Sequence, residues 1–299
     1  MIDIIIPVYN SGRTICKTLN SILDQENYED LVVYLIDDCS DEDYSDIIKH
    51  FSKYLTIKYY RLKENSGPGV ARQYGLEQSK NEYIVFIDSD DMFYEHDSIL
   101  KLYNSIYDFD MSFGKMLEKG YNYSLESHHE GCLHGKMFRR SFIVDNNLRF
   151  SDYRNHEDNA FDELYLSLSK KVNFIDDIIY IYNHNNNNSL SLSLNTADSL
   201  KTYIRSMTWL FNEIEKRDNI DSYKVGLLIM KIFCYCYFNY LLDENLNEFV
   251  FNDLNYLKKM YLKYIDSIDD EDKLALYKNF DYQVIPSITL DDFIEKIHE

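Results

Sequence analysis

Three carboxylates within four residues, Asp88, Asp90 and Asp91, follow an apolar run of strand length, Tyr83 to Ile87. An unbroken apolar strand is typical of a sheet that is covered on both faces. Carboxylates at the end of such a strand lie at the edge where open α/β sheets bind ligands. Hard oxygen donors of this kind suit Mg²⁺ or Mn²⁺. The same three residues could also form a solvated acidic turn after a core strand, and this stretch alone leaves both interpretations open.

A second pair of carboxylates, Glu157 and Asp158, begins a segment with helical spacing. One well-placed carboxylate is enough to accept a proton from an attacking hydroxyl group. Acidic residues are also favoured in the first turn of a helix by the helix dipole, whether or not they do chemistry. Upstream lies the densest basic region of the chain, which could face a diphosphate or an anionic acceptor, or could simply balance neighbouring acids: Lys136, Arg139, Arg140, Arg149 and Arg154.

The elements that would position these residues alternate between strands and helices in the first half of the chain. Four apolar runs predict strands: Ile2–Val8, Leu31–Ile36, Thr56–Tyr60 and Tyr83–Ile87. Alternation at this spacing predicts a parallel sheet with helices on both faces and right-handed crossovers. Further strands are predicted at Asp110–Met116 and Val172–Tyr182, with a polar loop or hairpin tip over Glu118–Glu130 between them.

The pattern becomes helical from about Thr196 onward. We therefore predict a catalytic domain over residues 1–195, with a nucleotide-binding half (1–91) and an acceptor half (92–195), and a helical C-terminal domain over 196–299. The asparagine run 185–188 is expected to be a loop that closes over a ligand. A last amphipathic segment, Asp291–Ile297, is expected to pack back on the first domain.

Charge and composition exclude several functions. The chain has 31 basic and 51 acidic residues and a formal charge of −20, which argues against non-specific binding to nucleic acid or anionic membranes. Five cysteines without a zinc or disulfide spacing predict reduced thiols, as in the cytosol. The most apolar run, Val225–Leu242, is interrupted by Lys231 and Asn239, so we expect a buried helix and no transmembrane segment. The expected location is the cytoplasm, including the inner face of the membrane.

No standard phosphate-binding loop is present in the sequence. The segment Gly67-Pro68-Gly69 differs from a dinucleotide fingerprint because Arg72 occupies the position of the third glycine. No Gly-Lys-Ser/Thr loop of the Walker type occurs either. A phosphate group would therefore have to be held by a metal ion and by individual basic side chains.

Four segments occur together in an order and spacing that resemble glycosyltransferase family 2: Ile4–Asn10, Ile36–Asp41, Asn65–Arg72 and Phe86–Asp91. The segment Leu133–Phe142 resembles the Lys-x-Phe-Arg-Arg stretch that precedes the catalytic acid in that family. The resemblance implies a GT-A-type fold, with a mostly parallel nucleotide-binding sheet flanked by helices. It also implies a nucleotide-sugar donor and inversion at the sugar carbon.

The resemblance also implies site residues. The expected donor-binding residues are Pro7, Val8, Tyr9, Asp38, Arg72, Asp88 and Ser89. The expected metal ligands for Mn²⁺ or Mg²⁺ are Asp90, as the direct ligand, Asp88 and His184, and the expected general base is Asp158, with Glu157 second.

Residue chemistry agrees with these roles but leaves alternatives. Asp38 could accept the N–H of a uracil ring, or it could cap the next helix. Tyr9 offers a flat face to the ring. Arg72 could reach donor phosphates or sugar hydroxyls, or it could bridge to Asp88 or Asp90. His184 could also be an ordinary surface histidine.

These observations favour a metal-dependent inverting glycosyltransferase of the hexosyl- or N-acetylhexosaminyl-transferase type. It would move a sugar from a UDP-sugar to a hydroxyl acceptor, with a glycan as the expected acceptor. A single base suffices for this reaction, whereas a glycoside hydrolase needs a pair of carboxylates. The alternatives are a sugar-1-phosphate nucleotidyltransferase, which Tyr9–Arg13 matches poorly, and a non-catalytic sugar-nucleotide or glycan binder.

Overall fold

The computed structural model describes residues 1–120, 124–127, 131–184, 196–218, 220–240 and 247–280. The asparagine run 185–188 and the predicted segment Asp291–Ile297 lie outside the described residues. Contacts divide the chain into two compact units, Met1–Ser189 and Leu190–Glu299. The domain boundary that the sequence predicts, between residues 195 and 196, stays a prediction.

The first four strands form one parallel sheet in the order β3-β2-β1-β4. Their bounds are β1 (Ile2–Val8), β2 (Leu31–Asp37), β3 (Thr56–Arg61) and β4 (Tyr83–Phe86). Every residue of β1 and β2 is buried, which explains why their sequences are apolar at almost every position rather than alternating; the exceptions are Asp3 and Asp37. The predicted α/β fold with a large sheet flanked by helices is confirmed.

The helices between these strands cover the two faces of the sheet. They are α1 (Ile15–Leu23), α2 (Ser45–Phe51) and α3 (Pro68–Gln78), with a short 3-10 turn at Tyr28–Asp30. Helix α3 lies very close to the sheet at Gly75, because a Cβ atom there would sit only 2.5 Å from Cγ2 of Ile5. This close approach fixes the height of α3, and of Arg72 on it, above the strand ends.

The sheet continues into the second half of the chain with mixed directions. The added strands are β5 (Met92–Phe93), β6 (Met111–Lys119), β7 (Ser124–Ser127), β8 (Lys136–Arg139) and β9 (Val172–Asn183). Strand β8 is antiparallel to both β4 and β6, whereas β9 is parallel to β6 and antiparallel to β5. The parallel arrangement that the sequence predicts is therefore confined, among these pairs, to β1–β4 and to β6 with β9.

Part of the predicted polar loop over Glu118–Glu130 is strand. Strand β6 extends through Lys119, and β7 pairs antiparallel with it from Ser124 to Ser127. The other helices of this unit are α4 (Ser98–Ser105), α5 (Arg140–Asp145) and α6 (Glu157–Leu168). Helix α6 begins at the two acids that the sequence singles out.

The second unit contains four helices among its described residues: α7 (Thr196–Ile214), α8 (Ser222–Tyr240), α9 (Asn247–Tyr264) and α10 (Asp270–Phe280), with a 3-10 turn at Ile265–Ser267. Cys234 and Cys236 on α8 are buried, as their apolar surroundings predict. All five cysteines of the chain are free thiols. No helix in the described ranges has the length and apolar character needed to cross a membrane.

Candidate active site

The carboxyl ends of β1, β2 and β4 meet at one edge of the sheet. There the backbone N–H of Asp38 donates to the carbonyl of Val8 at 2.9 Å, and the hydroxyl of Ser89 bonds that of Ser11 at 2.7 Å. Tyr9 directly follows β1 and has 49% of its surface exposed. Six of the seven residues that the sequence predicts for the donor nucleotide lie along this edge: Pro7, Val8, Tyr9, Asp38, Asp88 and Ser89. The seventh, Arg72, lies on α3.

Asp38 is held by the loop that leads into α3. Its two carboxylate oxygens accept the backbone N–H groups of Ser66 and Gly67, each at 2.8 Å. Gly67 has a φ of +99°, a conformation that glycine adopts at little cost. Burial raises the pKa of Asp38, and the two N–H groups oppose that rise. A carboxylate has about four lone-pair sites, so a further N–H can be accepted, and the contact with a base stays a prediction.

Asp37, the neighbouring acid, has a structural role. It is fully buried, and its carboxylate accepts hydrogen bonds from Ser40, Tyr59 and Arg61 at 2.7–2.8 Å. These bonds join the ends of β2 and β3. Asp37 therefore links β2 to β3, whereas Asp38 accepts hydrogen bonds from the loop before α3.

Arg72 joins the two acidic motifs of the chain. Its guanidinium donates to the carboxylate of Asp88 and to that of Glu157, each at 2.5 Å, and only 4% of Arg72 is exposed. Burial raises the pKa of Asp88, but Arg72 and His134 outweigh it and hold this pKa well below its usual value. Burial opposes the charge of Arg72, yet Asp88 and Glu157 keep the guanidinium pKa above its ordinary value.

Glu157 is the first residue of α6 and is only 3% exposed. Burial and the charge of Asp158 raise the pKa of Glu157 to about 7, against the opposing effect of Arg72. Asp158 follows it, is half-buried, and accepts the backbone N–H of Asn159 at 2.8 Å. One arginine, Arg72, therefore connects Asp88 with Glu157, the residue that precedes the predicted general base Asp158.

Asp88, Asp91 and His134 form a cluster that could hold a divalent cation, with one potential ligand atom from each within 4.8 Å of the others. Asp91 is buried and accepts the hydroxyl of Tyr180 at 2.6 Å and the N–H of Asn183 at 2.8 Å. Burial raises its pKa to about 8, and the nearby Asp90 and Asp88 add to that rise. Carboxylates suit Mg²⁺ and Mn²⁺, and imidazole is a common ligand of transition-metal ions, so these residues fit a divalent cation.

The other two predicted ligands, Asp90 and His184, do not belong to this cluster. Nε2 of His184 lies 2.9 Å from a carboxylate oxygen of Glu118. The main-chain oxygen of Asp90 accepts the side-chain amide of Asn183 at 3.3 Å. Their role as metal ligands stays a prediction.

The basic region before α6 has protein partners. Lys136 and Asp162 form an ion pair at 2.6 Å in which both residues are buried. Arg139 lies opposite Tyr83 at the start of β4, away from Asp88, and donates to the carbonyls of Phe109, Ile106 and Tyr107. Of the two possibilities left open by the sequence, these contacts favour charge balance and anchoring of loops.

Sequence reasoning missed His134 and Asp91 as partners of Asp88, and it missed the contact between Arg72 and Glu157. One signal was available for His134, because the sequence places it between two glycines, Gly131 and Gly135, which in the structure have φ values of +84° and +67°. Glycines at such angles indicate a loop with a fixed, tight shape. Nothing in the spacing connects Arg72 with a residue 85 positions later.

Comparisons with known proteins agree with this fold. The sequence profile of glycosyl transferase family 2 matches residues 3–160, which is more than half of the chain. The poly(ribitol-phosphate) beta-N-acetylglucosaminyltransferase TarP of Staphylococcus aureus is 29% identical over 202 residues, covering 60% of this chain and 61% of TarP. An uncharacterized glycosyltransferase of Rickettsia conorii is 36% identical over 141 residues, covering 46% of this chain and 23% of its own length.

Solved structures share the fold. Residues 1–349 of S. aureus TarS in complex with UDP-GlcNAc superpose with a TM-score of 0.70 at 18% identity, covering 93% of this chain and 90% of that one. The mannosyltransferase PcManGT of Pyrobaculum calidifontis, in complex with GDP-Man and Mn²⁺, superposes with a TM-score of 0.56 at 12% identity, covering 99% and 78%.

The matches to several curated relatives are partial. They span 14% to 23% of the length of three Rickettsia glycosyltransferases. The profile match, by contrast, begins in β1 and ends in the first turn of α6, so it includes both acidic motifs. This chain therefore belongs to glycosyltransferase family 2, as the four segments of its sequence indicate.

Proposed function

We propose that this protein transfers a sugar from a UDP-sugar to a hydroxyl group of a glycan or polyol chain, with inversion at the sugar carbon. The observation that carries this proposal is the junction at Arg72, which joins the donor-side Asp88 to Glu157, the neighbour of Asp158. An inverting transfer needs a donor site and one base within a single cleft, and this junction brings the two motifs together.

Asp158 acts as the general base. It takes the proton of the acceptor hydroxyl as the acceptor oxygen forms a bond to the anomeric carbon. The bond from that carbon to the diphosphate oxygen breaks, and its electron pair leaves with UDP. The half-buried position of Asp158 at the start of α6 is compatible with contact to an acceptor.

The donor is UDP-N-acetylglucosamine in this proposal. Support comes from the named activities of TarP and TarS and from the UDP-GlcNAc that TarS binds. In this proposal, Asp38 and Tyr9 bind the uracil ring, and Asp88 and Ser89 bind the ribose and diphosphate. The nucleotidyltransferase alternative lacks support, because the turn after β1 has no glycine-rich lysine loop.

A divalent cation is part of the proposal. Asp88, Asp91 and His134 would hold it, with Asp90 as the further ligand that the sequence predicts. When bound, it would stabilise the negative charge that develops on the leaving diphosphate.

The test is a donor screen with purified protein. Release of nucleoside diphosphate is followed for UDP-GlcNAc, UDP-glucose, UDP-galactose and GDP-mannose, with Mn²⁺ in large excess over the protein and with chelator. The proposal predicts turnover of UDP-GlcNAc that requires the cation. Turnover of GDP-mannose alone would refute the donor assignment, and undiminished turnover in chelator would refute the cation.

A further inference from the structure

We propose that Arg72 is a positioning residue for the general base, Asp158. Through Glu157, it couples donor binding at Asp88 to the orientation of Asp158. This inference rests on the proposed function. It assigns Arg72 a task in addition to, and separable from, the donor contact that the family resemblance implies. The evidence lies in the contacts of Arg72, in the backbone at the start of α6, and in the packing of α3.

The first observation is the geometry of the guanidinium. One nitrogen, Nη2, bonds Asp88 and the other, Nη1, bonds Glu157, each at 2.5 Å. Both Arg72 and Glu157 are more than nine-tenths buried, so solvent screens this pair very little. Only arginine presents two such donors in a rigid plane. A lysine has a single charged nitrogen on a flexible chain and would not hold the two acids in the same fixed geometry.

The second observation is the backbone just before Glu157. His156 has a φ of +61°, which is unfavourable for a residue with a Cβ atom. Its carbonyl accepts the N–H of Ala160, the first backbone hydrogen bond of α6. A strained residue persists only where the surroundings hold it. Arg72 supplies such a hold at the next residue, which carries the chain directly to Asp158.

The third observation is the fit between α3 and α6. A Cβ atom at Gly69 would lie 2.6 Å from Cγ of Glu157 and 2.8 Å from the carbonyl oxygen of Ser151. Residue 69 therefore has to be glycine for Glu157 to reach Arg72 one turn further along α3. The side chain of Glu157 is thus confined by packing on one side and by an ion pair on the other.

The fourth observation concerns the other end of the same helix. The N–H groups of Ser66 and Gly67, just before α3, hold both oxygens of Asp38. Helix α3 thus connects Asp38, which is predicted to bind the uracil ring, with Asp88 and with the start of α6. A ligand that neutralises or pulls on Asp88 changes the charge that Arg72 shares with Glu157. The coupling between the donor and Asp158 must then act equally in both directions.

The test is a double-mutant cycle with Arg72→Lys, Glu157→Gln and the double variant. The matched control is Arg139→Lys, since Arg139 bonds carbonyls and Glu82 at the opposite end of β4. Each protein is assayed for kcat with UDP-GlcNAc and for its Kd for UDP with Mn²⁺. We expect each single variant to lower kcat about thirtyfold and the double variant to lower it no further, a coupling of about 2 kcal/mol at 1.36 kcal/mol per tenfold. The control should stay within twofold of the unsubstituted protein.

Two results would overturn the proposal. In the first, the double variant loses kcat by the product of the two single losses. In the second, Arg72→Lys changes only the Kd for UDP and leaves kcat unchanged. A hydrogen-exchange arm does not depend on turnover. Arg72→Lys should speed exchange of the Ala160 amide at least tenfold while β1 stays protected, and Arg139→Lys should not. Unchanged protection of Ala160 refutes the positioning role even if no sugar nucleotide is turned over. Absent turnover by the unsubstituted protein would instead refute the proposed function.

Discussion

Replacement of Lys136 by methionine should destabilise the protein strongly, and the structure gives the size of the effect. Lys136 is 2% exposed and its ammonium lies 2.6 Å from Asp162, which is fully buried. Methionine fills most of the same volume but leaves the carboxylate of Asp162 without its cation. Removal of one partner from a buried pair costs about 3–5 kcal/mol of unfolding free energy. Because the N–H of Gly131 still donates to Asp162 in the variant, we expect the loss to lie near the lower end of this range.

The loss should depend on pH in a defined direction. Burial raises the pKa of Asp162 to about 6, and Lys136 opposes that rise. In Lys136→Met the folded-state pKa is higher still and exceeds the unfolded value by more. A carboxyl group whose folded pKa is raised lowers stability as pH rises through the interval between its unfolded and folded pKa values. The difference in unfolding free energy between Lys136→Met and the unsubstituted protein should therefore be larger at pH 8 than at pH 5.

Urea unfolding followed by far-UV circular dichroism at pH 5 and pH 8 measures this difference. The matched control is Lys263→Met, because Lys263 pairs with Glu215 at the surface, where its side chain is 51% exposed. A surface pair of this kind contributes about 0–1 kcal/mol. A loss below about 1 kcal/mol for Lys136→Met, together with lost turnover, would contradict this reasoning and indicate that Lys136 acts on substrate.

Three further predictions concern the site. Gly69→Ala should cost about 1–3 kcal/mol of stability by overpacking, measured by urea unfolding, and should lower kcat. A Cβ atom at Gly12 would meet only the carboxylate end of the Glu42 side chain, so Gly12→Ala should be tolerated, and equal losses in both variants would contradict the packing argument. His134→Gln should weaken Mn²⁺ binding, measured by calorimetry, by about tenfold or more. The control is His96→Gln, which should leave Mn²⁺ binding unchanged because the side chain of His96 is 68% exposed. An unaltered Mn²⁺ affinity in His134→Gln would show that His134 is not a ligand of the cation. Since the pKa of Glu157 is about 7, kcat should fall below that pH as Glu157 gains a proton and loses its pairing with Arg72, and a profile that is flat from pH 6 to 8 would contradict this.

The sequence predicted the first half of the fold well because β1, β2 and most of β4 are buried on both faces. The predicted strands Ile2–Val8 and Leu31–Ile36 are apolar at nearly every position and stand out against polar turns, and parallel strands place those turns at one edge. The later strands were harder. Strand β8 has four residues, and its antiparallel place between β4 and β6 depends on contacts with residues far away in the chain.

The candidate site shows the same division. The sequence predicts Asp88, Asp38 and Asp158 as site residues because each follows a strand or starts a helix with a distinctive local pattern. Contacts that cross the fold left no such pattern, as in the bond from Arg72 to Glu157 and in the approach of His134 to Asp88. Short-range patterns thus identified the acids, whereas the packing of α3 against α6 decides which of them are paired.

The most direct test of the account compares Asp158→Asn with the unsubstituted protein and with Asp152→Asn, an exposed acid six residues earlier. Sugar transfer from UDP-GlcNAc with Mn²⁺ is measured together with the Kd for UDP. The account predicts that Asp158→Asn keeps its affinity for UDP and loses transfer by a factor of about 10² to 10⁴, the usual contribution of a general base. Asp152→Asn should retain both properties. Transfer by Asp158→Asn within threefold of the unsubstituted protein would contradict the assignment of the base, and with it the proposed mechanism.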